Sequence, residues 1–209
     1  MNTVPGLFPM FVKLAGRSCL VVGGGSVAAS KVESLLHASA NVTVVSPELS
    51  ARLNELQLEG QLAWIPRRFQ PCDVNGAFLV IAATSDDVVN ELVFREAERR
   101  GILCNAVDQP PRSNFYFPAV VRRGALQIAI STAGLSPSLA ARLRAEFEKE
   151  FGSEYEAWLA WLGTVREALM RRKVDFSTRK RLLAYLARRD SFERWRAARR
   201  GKHALPEAA

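Results

Sequence analysis
The chain has 209 residues, room for one large domain or two small ones, and 48% of them are hydrophobic, enough for a real core. No apolar run is long enough to span a membrane, and three scattered cysteines, Cys19, Cys72 and Cys104, do not read as a disulfide framework. The formal net charge of +8 is concentrated: Gly163 to Lys202 holds fourteen Lys or Arg against four acids, whereas residues 1–162 hold fifteen against sixteen. Such a basic quarter suits a polyanionic partner.

Met1 to Phe11 has no cation ahead of its short apolar piece, so it does not read as a secretion signal and the expected location is the cytoplasm. Leu7–Leu14 is expected to be a lead-in strand and Ser18–Val22 the first core strand. That strand stops at Gly23, Gly24 and Gly25. Counted from Gly23 the pattern is Gly-x-Gly-x-x-Ala, a dinucleotide-binding fingerprint when a strand precedes it and a helix follows. Gly23 lets the chain turn, Gly25 lets a pyrophosphate approach the backbone, and Ala28 lets the helix pack close to the strand. The helix, Ala28–His37, presents its amino end to the phosphates.

A second strand, Asn41–Val45, leads to Ser46-Pro47-Glu48. Glu48 stands near the place where an acid contacts the adenosine ribose. The plainer reading makes Ser46 an N-cap, Pro47 the first helical residue and Glu48 a first-turn acid, and both can hold together; the helix itself is expected over Leu49–Leu58. No arginine directly follows strand two, which favours NAD over its phosphorylated form. Ala63–Ile65 and Phe78–Ala83 are the next strands, the latter apolar throughout, as in a strand buried on both faces. Thr84 follows it, either lining a ligand crevice or capping the helix Val88–Arg99. The strand Ile102–Val107 runs into Asp108 and then Gln109-Pro110-Pro111, which makes Asp108 a candidate for chemistry or a turn aspartate.

From Asn114 the character changes. Ala119–Arg122 and Leu126–Ser131 read as a hairpin. A loop of small residues, Thr132 to Ser136, leads to a helix started by Pro137, and its backbone is suited to anions. Glu154–Arg172 is a helix with Tyr155, Trp158, Leu162 and Val165 on one face, and Ser177–Arg188 and Ser191–Arg200 complete a basic bundle. Two histidines, His37 and His203, without paired cysteine spacing argue against a structural zinc. The order predicts an α/β fold: a Rossmann-type parallel sheet over residues 1–113, a small α+β region over 114–151, and a helical domain over 152–209.

These pieces resemble the precorrin-2 dehydrogenase and sirohydrochlorin ferrochelatase family, the N-terminal module of siroheme synthase. The likeness is densest in LFPMFVKLAGRSCLVVGGGSVA, VTVVSPEL, AATSDDVVN, NAVDQP with the later FYFPA, and ISTAGLSPSLA. It implies the short, standalone form, an NAD cofactor, a homodimer built through the 114–151 region, and a tetrapyrrole bound near a cleft. It also implies NAD-dependent oxidation of precorrin-2 to sirohydrochlorin, with insertion of Fe2+ as a second activity. By matching motif, Ser26 and Val27 would touch the pyrophosphate, Pro47 and Glu48 the adenosine end, and Asp108 would be catalytic. Asn114, Phe115, Thr132, Gly134 and Ser136 are the expected substrate contacts. No resident metal is expected; Asp108 would guide Fe2+ in passage. Two departures from the family pattern stand out, Ser30 before Lys31 and Thr132-Ala133 where a Ser-Gly pair is common. A dehydrogenase without chelatase activity is one alternative, and an NAD-sensing nucleic-acid-binding regulator another. The expectation is neither nucleic acid nor membrane as a partner.

Overall fold
The computed structural model describes residues 6–203, the last four by their backbone alone. Met1–Pro5, part of the segment weighed as a secretion signal, and residues 204–209 lie outside the described residues, as does the side chain of His203. The chain divides into two compact units, Met1–Phe117 and Pro118–Ala209.

Five parallel strands run through the first unit: β1 (Ser18–Val22), β2 (Asn41–Val45), β3 (Leu62–Ile65), β4 (Leu79–Ala82) and β5 (Leu103–Ala106). Their order across the sheet is β3-β2-β1-β4-β5. The helices between them are α1 (Ser26–His37), α2 (Ala51–Leu58) and α3 (Asp87–Arg99). The pleat sends alternate residues to opposite faces. Cys19 and Val21 of β1 therefore join one apolar layer with Val32 and Leu35 of α1 and Leu53 of α2. Leu20 and Val22 join the other, with Val93 and Ala97 of α3. Ala28 is fully buried, which lets α1 lie close on the sheet. Both faces are covered, so β4 is buried at every position and reads as an unbroken apolar run. The chain leaves β1 toward β2 on one side and returns to β4 on the other. The carboxyl ends of β1 and β4 thus flank a switch point, where ligands of open α/β sheets bind.

Two expectations need correction. Residues 7–14 form no strand. Pro9 lacks an N–H for a ladder, and Phe8, Met10 and Phe11 are exposed; only Leu14 packs on the core. Nor do Ser46 and Pro47 begin a helix. α2 starts at Ala51 after Ser50, because the Ser50 amide is held by the Gly24 carbonyl at 2.7 Å.

In the second unit, β6 (Ala119–Arg123) and β7 (Leu126–Ile130) form the expected antiparallel hairpin. Helix α4 (Pro137–Glu150) begins at Ser136, whose hydroxyl accepts the Leu139 amide at 3.2 Å. The Arg123 guanidinium donates to the carbonyls of Phe151 and Glu148 at 2.7 and 2.9 Å, tying the hairpin to the far end of α4. Helices α5 (Glu154–Arg171), α6 (Phe176–Leu186) and α7 (Arg189–His203) follow. Trp158 and Phe192 are buried, their ring centroids 4.9 Å apart, with Tyr155 4.4 Å from Phe192. The aromatic stripe of α5 is a packing face. No helix among the described residues is long and apolar enough to cross a membrane.

Candidate functional site
A groove of about 850 Å³ opens at the carboxyl ends of the sheet in the first unit. Its walls bring together Gly23, Gly24, Gly25, Ser26 and Val27 after β1, Pro47 and Glu48 after β2, Thr84 after β4, and Asp108 after β5. Four separate stretches of sequence converge because parallel strands put all their carboxyl ends on one edge.

The glycines have distinct tasks. Gly23 takes φ +123°, a conformation L residues rarely adopt, and a Cβ there would strike the Ala83 backbone. At Gly24 a Cβ would strike the Glu48 carbonyl and the Ser46 hydroxyl, so the turn after β1 and the loop after β2 lie backbone on backbone. The buried Ser46 reinforces this loop by donating to the Glu48 carbonyl at 2.7 Å. At Gly25 a Cβ would meet nothing within 4 Å, so the space beside it is open. Gly25 is the N-cap of α1 and offers no capping side chain, and the first turn holds no acid. A helix start of this kind, with bare backbone facing a groove, fits the pyrophosphate of a dinucleotide.

Thr84 lines the groove but does not cap α3. Asp86 does, accepting the amides of Val88 and Val89 at 2.9 and 3.2 Å. The Thr84 hydroxyl instead lies 2.8 Å from Oδ1 of Asn90 and accepts the Asp86 amide at 3.1 Å. Asn90 is buried, and its side-chain amide donates back to the Thr84 carbonyl at 3.0 Å. This side chain fixes the loop floor. It stands inside AATSDDVVN, but a polar residue on an amphipathic helix gives no sign of its burial.

Asp108 is exposed and has φ +59°, left-handed for a residue with a Cβ. The Val107 amide still bonds to Ala82 at 2.9 Å, so the turn begins one residue past the sheet. The return segment clamps the loop. Asn105 donates to the Phe115 carbonyl at 2.9 Å, and the Ser113 hydroxyl accepts the Ala106 amide at 3.1 Å. Gln109 reaches Asp87 at 2.5 Å, and Arg112 pairs with Glu91 at 2.5 Å. A strained aspartate in an over-determined loop points to use of the carboxylate. Lys31 of α1, half-buried, is pushed below its ordinary pKa by burial, partly offset by the Asp108 charge.

The remaining expected residues are elsewhere. Asn114 accepts the Cys104 amide at 2.8 Å and donates to the Ile102 carbonyl at 3.4 Å, extending β5 by a side chain. Phe115 packs against Phe117, centroids 5.3 Å apart. Thr132, Gly134 and Ser136 belong to the second unit, where Thr132 accepts the Ser136 amide at 3.3 Å. Sequence reasoning passed over Ser50, Arg68 and Phe69, which also line the groove. Among the described residues no three His, Cys, Asp or Glu side chains stand together to hold a metal ion.

Residues 10–119 match the family model for NAD(P)-binding proteins, and residues 123–150 match the central model of sirohaem biosynthesis proteins. A solved structure titled SirC, precorrin-2 dehydrogenase, is 30% identical and superposes with a TM-score of 0.77 over 89% of this chain and 92% of that one. The chain belongs to the precorrin-2 dehydrogenase family. The siroheme synthase of Methylobacillus flagellatus is 44% identical over 170 residues, 81% of this chain and 36% of that protein. That of Photorhabdus laumondii is 41% identical over 172 residues, 82% and 37%. The chain therefore spans about a third of the length of these family members.

Proposed function
We propose that the chain oxidises precorrin-2 to sirohydrochlorin with NAD+ and then inserts Fe2+ into the product. One observation carries the reading: in a member of this family, the glycine turn after β1 and the strained Asp108 after β5 open on one groove. Bound NAD+ supplies the hydride acceptor. The backbone at Ser26 and Val27 holds the pyrophosphate, Pro47 and Glu48 take the adenosine end, and the Thr84–Asn90 lock keeps the groove floor rigid. Oxidation removes a hydride and a proton from the macrocycle. Asp108 accepts the proton, directly or through a water, and its loop fixes the carboxylate in place. Lys31 balances the charge beside it.

Insertion of Fe2+ displaces two pyrrole protons. Asp108 serves again, as base and as a hard oxygen ligand for a metal in passage. Asn114, Phe115, Thr132, Gly134 and Ser136 are the residues assigned to contact the macrocycle. The arginines of the basic helices pair with its carboxylates. The working form is a cytoplasmic homodimer.

The test is an anaerobic absorbance assay. Precorrin-2 with NAD+ should convert to sirohydrochlorin, and sirohydrochlorin with Fe2+ or Co2+ should give the metallated spectrum. No conversion with NAD+ would sink the reading. Oxidation without metal insertion would leave a dehydrogenase alone.

A further inference from the structure
We propose that Arg68 sets the choice between NAD+ and its 2′-phosphorylated form, and that the groove binds both. The inference rests on the dinucleotide reading above and adds a subsite to it.

β2 and β3 pair in parallel with Val45 opposite Ile65, and the Ser46 amide carries the pairing one residue further, to the Ile65 carbonyl at 3.3 Å. Glu48 and Arg68 each follow three residues after that last matched pair, and both line the groove. The sequence offers no cation directly after β2; the structure supplies one from the neighbouring strand.

Arg67 explains why Arg68 is available. Its guanidinium grips both oxygens of Asp73 at 2.8 and 2.6 Å, and Asp73, with a side chain only 5% exposed, also accepts the Gln70 amide at 2.8 Å. The loop after β3 is thereby fixed, and one arginine of the Arg67-Arg68 pair is spent on it. Among the described residues the Arg68 guanidinium and the Glu48 carboxylate have no partner; only their backbone carbonyls are engaged. One end of the groove thus presents an unpaired acid and an unpaired base.

Their chemistry is opposed. A carboxylate at this position accepts a hydrogen bond from the ribose 2′-hydroxyl and repels a 2′-phosphate. A guanidinium fork pairs with that phosphate. With both present, NAD+ binds through Glu48 and NADP+ through Arg68.

The experiment is titration calorimetry of the full chain with NAD+ and with NADP+. The wild type should bind both. Arg68→Ala should weaken NADP+ by about fivefold or more and NAD+ by less than about twofold. Glu48→Gln should shift the ratio the other way, and Arg68→Lys should retain part of the NADP+ affinity. Equal weakening of both ligands by Arg68→Ala would place Arg68 on the pyrophosphate, and no effect on either would remove it from the site; each overturns the proposal. NAD+ binding without NADP+ also overturns it and leaves the function standing. Binding of neither dinucleotide overturns both.

Discussion
The Lys31 ammonium lies 4.3 Å from the centroid of the Phe117 ring. The first helix after the glycine turn thus meets the last segment of the same unit, and that contact places a cation beside Asp108. Burial lowers the Lys31 pKa from 10.5, and the Asp108 charge only partly opposes it. A lysine with a lowered folded pKa holds its proton less firmly folded than unfolded, so stability rises with pH from the lowered value up to 10.5. Lys31→Met removes that rise. Denaturant midpoints measured from neutral pH to above 10.5 should show the wild type gaining on the variant. The opposite trend would mean that the cation–π contact outweighs burial.

The glycine turn offers a contrast between adjacent positions. Gly24→Ala must push its Cβ into the Glu48 carbonyl, which is backbone and cannot swing away. We expect a loss of about 1–3 kcal/mol, the usual cost of overpacking. Gly25→Ala meets no atom within 4 Å and should leave the fold intact. Its methyl group stands beside the groove, so it should weaken dinucleotide binding instead. Thermal melts and calorimetry on the two variants separate the effects. Identical behaviour would mean that Gly25 does not approach the ligand.

Asp108→Asn keeps size and hydrogen-bonding reach but removes the proton acceptor. Asparagine also tolerates the left-handed backbone that Asp108 adopts, so the loop should survive. Oxidation of precorrin-2 should fall by roughly a hundredfold or more while NAD+ affinity stays near that of the wild type. Wild-type turnover would assign the proton to another group.

Much of this was legible in the sequence because short-range rules dominate it. The Rossmann-type sheet follows from apolar strands that alternate with amphipathic helices, and Asn41–Val45 is the strand that the pattern predicts. The glycine turn announces itself through residues no other chemistry requires. What stayed hidden depends on distant pairing. Asn90 reads as an ordinary helix residue until the Thr84 loop folds over it. Arg68 reads as a surface charge until β3 pairs with β2 and carries it to the groove. Ser46 looks like a helix cap because nothing local reveals that Gly24 and Ser50 bind across to each other. The segment 7–14 has strand-like composition, yet among the described residues no strand offers it a ladder.

The three thiols should react at very different rates. Burial pushes Cys19 up to about 11 and Cys104 up to about 12, so little thiolate exists at neutral pH and the reagent has no path to it. Cys72 is exposed. Mass spectrometry after brief alkylation of the folded chain should find Cys72 modified alone, with the other two following on denaturation. Prompt labelling of Cys104 would contradict its place between the sheet and α3.

Asp175 governs the start of α6. Its carboxylate accepts the Thr178 amide at 2.9 Å and the Ser177 hydroxyl at 2.8 Å, and these bonds, the amide first, hold its pKa at about 2. A carboxylate whose folded pKa is depressed stabilises the fold above its unfolded value, 3.8, and that contribution fades as pH falls toward about 2. Asp175→Ala should therefore lower the melting temperature of the helical unit at neutral pH, because an unreplaced N-cap leaves amides of the first turn without an acceptor. The deficit should shrink steadily below pH 4 as the wild type loses the same bonds by protonation. Asp175→Asn keeps a side-chain oxygen and should recover much of the stability while losing the acid dependence. If the deficit were the same at pH 3 as at pH 7, the cap would be acting through packing and not through the ionised carboxylate.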